Sequence, residues 1–138
     1  MGMPRDPEAR RYYRAAKQRF EDAGLLLDAG RTTGAVYLAG YTVECLLKAV
    51  ILESVPSKLR KQLLIDFRGR QGHDIEMLCS TYRRQVQAAI PRRVTQHLAR
   101  LNSWSTDLRY TPGSLQPGDA DEFFESVHAV LTWTDGRL

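Results

Sequence analysis

Gly34-Ala-Val-Tyr-Leu-Ala-Gly-Tyr-Thr-Val-Glu-Cys-Leu-Leu-Lys-Ala-Val-Ile-Leu52 decides the fold: nineteen residues in which the only charges are Glu44 and Lys48. Apolar or small side chains occupy every side of a 3.6-residue period, and a helix apolar all round lies inside a bundle or a membrane. The two charges near its middle, and the amphipathic segments on either side, favour the bundle. The stretch predicts a central buried helix and no membrane span. Glu44 and Lys48 stand four apart in the favourable order, so the plain expectation is a helix-surface ion pair worth roughly a few tenths of a kcal/mol.

Outward from this helix, the preceding segment carries its own start and stop signals. Asp6 is a good N-cap, Pro7 suits the first helical position, and Gly30 suits a left-handed C-terminal position, so a helix runs from Pro7 to about Ala29. Tyr13, Ala16, Phe20, Ala23 and Leu27 give it one apolar stripe. Thr32 or Thr33 is placed to cap the central helix. So short a turn makes the two helices antiparallel neighbours, an α-hairpin over about residues 7–53.

Beyond the hairpin the pattern stays helical but shorter. Pro56 starts a short helix through Ile65, and Arg68 to Gly72 reads as a flexible basic loop. Asp74 is the expected N-cap of a helix with Ile75, Leu78, Cys79 and Tyr82 on one face, and Pro91 opens another through about Asn102, with Arg92, Arg93, Gln96 and Arg100 outward. Residues 104–118 read as a long ordered loop whose Trp104 and Leu108 pack back on the bundle. A last helix runs from about Asp119 to Gly136. The chain is read as one all-α domain, residues 1–138, an antiparallel bundle of four to five helices.

The formal charge is +4, with 16 Arg against 4 Lys. Arg makes bidentate contacts to phosphate and carboxylate, so a polyanionic partner is permitted, although mild basicity also occurs without one. Cys45 and Cys79 are not in a CxxC and have no His at metal spacing, so no disulfide framework, zinc site or other cofactor is expected. Met1-Gly-Met-Pro-Arg-Asp-Pro7 contains no apolar leader core, which together with two lone thiols predicts a reducing cytoplasm.

Glu21-Asp-Ala-Gly-Leu-Leu-Leu-Asp-Ala-Gly-Arg31, followed by Gly34 to Lys48, resembles the HEPN domain family. The segment Gly72-His-Asp-Ile-Glu-Met-Leu78 and the loop Trp104-Ser-Thr-Asp-Leu-Arg-Tyr110 extend the resemblance over most of the chain. It implies an α-helical bundle that commonly forms homodimers. It also implies one of two roles. Some members are metal-independent ribonucleases, often toxins, using Arg-x4–6-His; others lack that motif and accompany a minimal nucleotidyltransferase as partner or substrate-binding unit. The expected role is a toxin–antitoxin or nucleotidyltransferase-associated module that binds nucleotide or RNA, with ribonuclease and non-catalytic dimeric interaction domain as alternatives.

Two segments satisfy Arg-x4-His: Arg68 with His73, and Arg92 with His97. With three His and 16 Arg in 138 positions, chance alone supplies roughly one match, so spacing does not choose between them. The chemistry is apt in both, since metal-free RNA cleavage needs a base near neutral pH for the 2′-hydroxyl and a cation for the phosphorane. His97 has the more basic surroundings, with Arg92, Arg93 and Arg100; His73 matches the family segment better. Arg109 and Tyr110 supply a phosphate contact and a stacking ring, or tie the loop to the bundle. Glu44 and Lys48 pair locally, line a dimer groove, or orient a catalytic Arg. His128 has no Arg at motif spacing and reads as a helix-face residue.

Overall fold

The chain's computed structural model describes residues 3–110 and 112–138, with side chains described for all of these but Gln71 and Arg109. It is all-α. Among the described residues six helices follow in order: α1 Pro7–Asp28, α2 Thr32–Ser54, α3 Ser57–Arg68, α4 Ile75–Val86, α5 Arg92–Leu101 and α6 Pro117–Arg137. Short 3-10 turns at Arg70–His73 and Thr106–Tyr110 precede α4 and α6.

α1 begins as its sequence dictates: Asp6 accepts a hydrogen bond from the Ala9 amide at 2.9 Å, and Pro7 occupies the first turn. Glu53, at the far end of α2, accepts from the Arg5 and Asp6 amides at 2.8 and 3.0 Å. The open end of the hairpin is thereby stapled, and Gly30, at φ 77°, makes the turn at the closed end. The deepest row of α1 is Ala9, Ala16 and Ala23, all fully buried, with Tyr13, Phe20 and Leu27 flanking it. Alanines seven apart keep one line of the helix low, so α1 lies close against α2 along its length.

α2 is the core. By length and composition it qualifies to cross a membrane, yet 83% of its apolar window is buried within the bundle. α1, α4 and α6 all pack on it. This enclosure explains why it lacks a polar face.

Three expectations give way here. Neither Thr32 nor Thr33 caps α2: Arg31 holds the N-cap position with no side-chain bond, and the two hydroxyls instead donate to the carbonyls of Leu115 and Gly113 at 2.7 and 3.0 Å. The loop between α5 and α6 offers acceptors from above, and the threonines pin it. The basic segment after α3 is ordered as a 3-10 turn, because Gly72 passes so near the Phe67 carbonyl that a Cβ would collide with it. The last helix starts at Pro117, which suits a first helical turn, two residues before Asp119.

Trp104 fastens the long loop. It is buried, donates its indole N–H to the Tyr37 carbonyl at 3.1 Å, and lies directly on Gly40, where any Cβ would run into the ring. Gly40→Ala is therefore expected to destabilise the fold by about 1–3 kcal/mol, the usual cost of overpacking a filled core. Gly24→Ala, the same change within α1 at a position with open space around it, should stabilise by about 0.5–1 kcal/mol through helix propensity. Urea unfolding of both variants checks the pair; equal effects would mean that Trp104 does not sit on Gly40.

Candidate functional site

Tyr37, Tyr41, Glu44 and Lys48 follow one line along α2, and Tyr12, Phe67 and Trp104, from three other parts of the chain, close over it. Lys48 is 3% exposed and Glu44 4%, which replaces the expected surface pair with a buried one. The Lys48 ammonium donates to Glu44 Oε2 at 2.9 Å and to the Phe67 carbonyl at the end of α3 at 3.2 Å. It also lies 5.4 and 5.6 Å from the ring centroids of Tyr12 and Phe67, within cation–π range. Burial raises the pKa of the Tyr12 phenol, with Arg11 pulling the other way, so the ring stays neutral beside the ammonium.

The second carboxylate oxygen faces outward. His73 Nδ1 lies 2.8 Å from Glu44 Oε1, and the imidazole is half-exposed. A carboxylate whose charge is already met by an ammonium accepts and does not donate, so Nδ1 carries the proton of this bond. In the neutral ring, Nε2 then holds the lone pair. A buried acid thus sets the tautomer of a solvent-facing base, the same logic by which a carboxylate orients a catalytic histidine. Tyr41 meets His73 edge-on at 6.2 Å and Trp104 edge-on at 5.0 Å, so the imidazole is backed by an aromatic row.

His73 opens into a cavity of about 280 Å³ bordered by Arg70, Glu76, Asn102, Trp104 and Thr106. Arg68, the motif partner in sequence, is exposed at the end of α3 and does not line this cavity, whereas Arg70 does. Arg92 and His97 separate similarly. His97 faces a cleft of about 410 Å³ between α5 and α6 with Arg93, while Arg92 is exposed outside it. The two Arg-x4-His segments therefore serve two different clefts.

The α5–α6 cleft also contains His128, which sequence reasoning set aside for lack of a nearby Arg. Only helix pairing brings it to His97. Arg100 borders a third cavity, of about 520 Å³, beside Trp104, Asp119 and Glu122. Tyr110 is 75% exposed on the second 3-10 turn, and the Arg109 side chain lies outside the described residues. Among the described residues no three His, Cys, Asp or Glu side chains gather as a metal site.

Neither cysteine is poised as a nucleophile. Burial, and then the Glu44 charge, push the Cys45 thiol up to about 12; burial pushes Cys79 up to about 11, against the pull of Arg83. Both folded pKa values exceed the ordinary 9.0. Their contribution to stability is therefore complete below that value and is lost as pH climbs from there toward about 11–12. At pH 8 the folded chain should leave an aromatic disulfide reagent unreacted, and both thiols should react once urea unfolds it; rapid labelling of the folded chain would contradict this burial.

Glu44→Ala strands the buried ammonium and should cost about 3–5 kcal/mol, against the few tenths of a surface pair. Replacing both partners, Glu44→Gln with Lys48→Met, should restore most of the loss in urea unfolding. Additive losses in the two single variants would show that the charges do not depend on each other.

No curated protein and no solved structure gives a significant match to this chain. The family model of the HEPN domain matches residues 9–137, from the first turn of α1 to the last residue of α6. The all-α bundle, built on a long antiparallel hairpin, agrees with that match. The chain belongs to the HEPN domain family.

Proposed function

We propose that this chain is a HEPN module of a toxin–antitoxin or minimal-nucleotidyltransferase system, acting as a homodimer that binds RNA or nucleotide. The observation that carries the reading is the distribution of charge. Between Phe67 and Ser103 there are seven arginines, Arg68, Arg70, Arg83, Arg84, Arg92, Arg93 and Arg100, and no lysine, against Asp74 and Glu76 alone. That segment is formally +5 in a chain of +4, so the remainder is slightly acidic. All seven side chains are exposed, and none forms an ion pair among the described residues. Asp74 is occupied capping the Met77 amide at 3.1 Å. Unpaired guanidinium groups are suited to phosphate, and their release of counterions supplies affinity without base recognition.

The test is the salt dependence of binding to a fluorescent single-stranded RNA. Affinity should fall steeply with sodium chloride, and Arg92→Gln with Arg93→Gln should lower the slope of log K against log salt by about 1.4, two phosphate contacts on a single strand. Absence of any association at low salt would defeat the reading in favour of a dimeric interaction domain.

A second reading, metal-independent ribonuclease, is favoured by one observation, the Glu44–His73 bond. With Nδ1 committed to Glu44, Nε2 of the neutral ring is the nitrogen able to take a 2′-hydroxyl proton, and Arg70 at the same cavity is the cation for the developing phosphorane charge. In EDTA, the wild-type chain should cleave structured RNA and His73→Ala should be slower by about 10²–10⁴-fold. An inert wild type, or an undiminished His73→Ala, removes this reading and leaves the binding module.

A further inference from the structure

Where the end of α5 meets the start of α6, the cavity of about 520 Å³ is walled by Val36, Trp104, Leu108, Leu115 and Phe123. Apolar and aromatic walls with a few polar groups, at a junction of bundle helices, are the usual make-up of a small-molecule site, and the volume falls in the range of about 300–1,000 Å³ that such sites occupy. The walls are fixed before any ligand arrives. Val36 is buried on α2, the Trp104 indole N–H donates to the Tyr37 carbonyl at 3.1 Å, and the Thr32 hydroxyl donates to the Leu115 carbonyl at 2.7 Å. The loop that forms one side of the space is therefore tied at both Trp104 and Leu115 to the enclosed central helix.

The charges at the mouth of this cavity are unequal. Arg100, in the last turn of α5, shares it with Asp119 and Glu122, three apart at the start of α6. All three are exposed, and none forms an ion pair among the described residues. One positive and two negative groups leave the lining formally at −1. Were Arg100 to swing onto either carboxylate, the other would remain open. No histidine lines the cavity, so its sign does not wait on an imidazole. Trp104 and Phe123 act in the same sense, because the faces of aromatic rings attract cations. The cavity is thus opposite in character to the arginine-rich surface proposed for RNA.

We infer that this cavity is a binding site for a small organic ammonium ion with a compact apolar body. The body takes the space among Trp104, Leu108, Leu115 and Phe123, where its surface is removed from water. The ammonium stays at the mouth against Asp119 and Glu122, where water still reaches part of it. A carboxylate or phosphate would meet two like charges for one opposite partner, and an inorganic cation would leave the apolar walls unused. Only the combination of one positive charge and an apolar body answers both features of the lining.

Phenethylammonium is the probe, titrated into the full chain at neutral pH and low salt and followed by amide and indole N–H chemical shifts. Two comparison compounds separate its parts: 3-phenylpropanoate has the same body with the opposite charge, and ethylammonium has the charge without the ring. The expected result is saturable binding that moves the Trp104 indole signal and leaves that of Trp133, which lies in the separate cleft of His97. Each comparison compound should bind at least about tenfold more weakly. Asp119→Asn and Glu122→Gln should each weaken phenethylammonium binding by about two- to fivefold, the range of a solvent-facing charge pair. Arg100→Gln should tighten it by a similar factor, a gain that damage to the fold cannot imitate. Binding of 3-phenylpropanoate or ethylammonium as tight as that of the probe, an Arg100→Gln variant that binds it no better, or no saturation by about 10 mM, tenfold beyond a millimolar ligand, would overturn the inference. RNA affinity read through Arg92 and Arg93 is independent of this outcome.

Discussion

One buried carboxylate, Glu44, holds together the part of the fold that sequence periodicity alone would not produce. A helix enclosed on all sides has no solvent to offer a charge, so Glu44 and Lys48 must find partners inside the protein. Lys48 takes one carboxylate oxygen and the Phe67 carbonyl; His73 takes the other oxygen. Each bond brings in a different element. The end of α3 and the 3-10 turn before α4 are drawn to the same point on α2, which explains how a segment as rich in glycine as Arg68 to His73 is ordered at all.

The aromatic side chains extend that constraint to the long loop. His73 abuts Tyr41, Tyr41 abuts Trp104, and Trp104 rests on Gly40 with its N–H on the Tyr37 carbonyl. Trp104 borders both the cavity of His73 and the larger cavity of Arg100. The loop that carries Trp104 is thus positioned by the same face of α2 that carries Glu44, and the two cavities share a rigid wall. The charge distribution obeys a different rule: the arginines between α3 and α5 stay at the surface and pair with nothing among the described residues, which is what leaves them available to phosphate.

The hairpin was legible because local signals agree: Asp6 and Pro7 open α1, Gly30 closes it, and α2 is apolar all round. Asp74 as a cap, and the outward arginines of α5, follow from the same local rules. What escaped sequence reading depends on contacts between distant residues. Thr32 and Thr33 look like caps until the loop at Gly113 and Leu115 offers them other acceptors. Glu44 and Lys48 look like a surface pair until α3 and Tyr12 close over them. The motif spacing named Arg68 and Arg92, yet side-chain direction puts Arg70 and Arg93 in the clefts. His128 has no local signal at all, and only the pairing of α5 with α6 brings it to His97.

The central claim is that Glu44 fixes His73 with its proton on Nδ1 and Nε2 open to solvent. Long-range nitrogen–proton NMR of the imidazole, recorded well above the ordinary imidazole range, distinguishes the two neutral tautomers directly. The structure predicts that His73 in the folded wild-type chain is the Nδ1–H form, unlike the Nε2–H form favoured by a free neutral imidazole. An Nε2–H tautomer, or the averaged signal of an unrestrained ring, would contradict it.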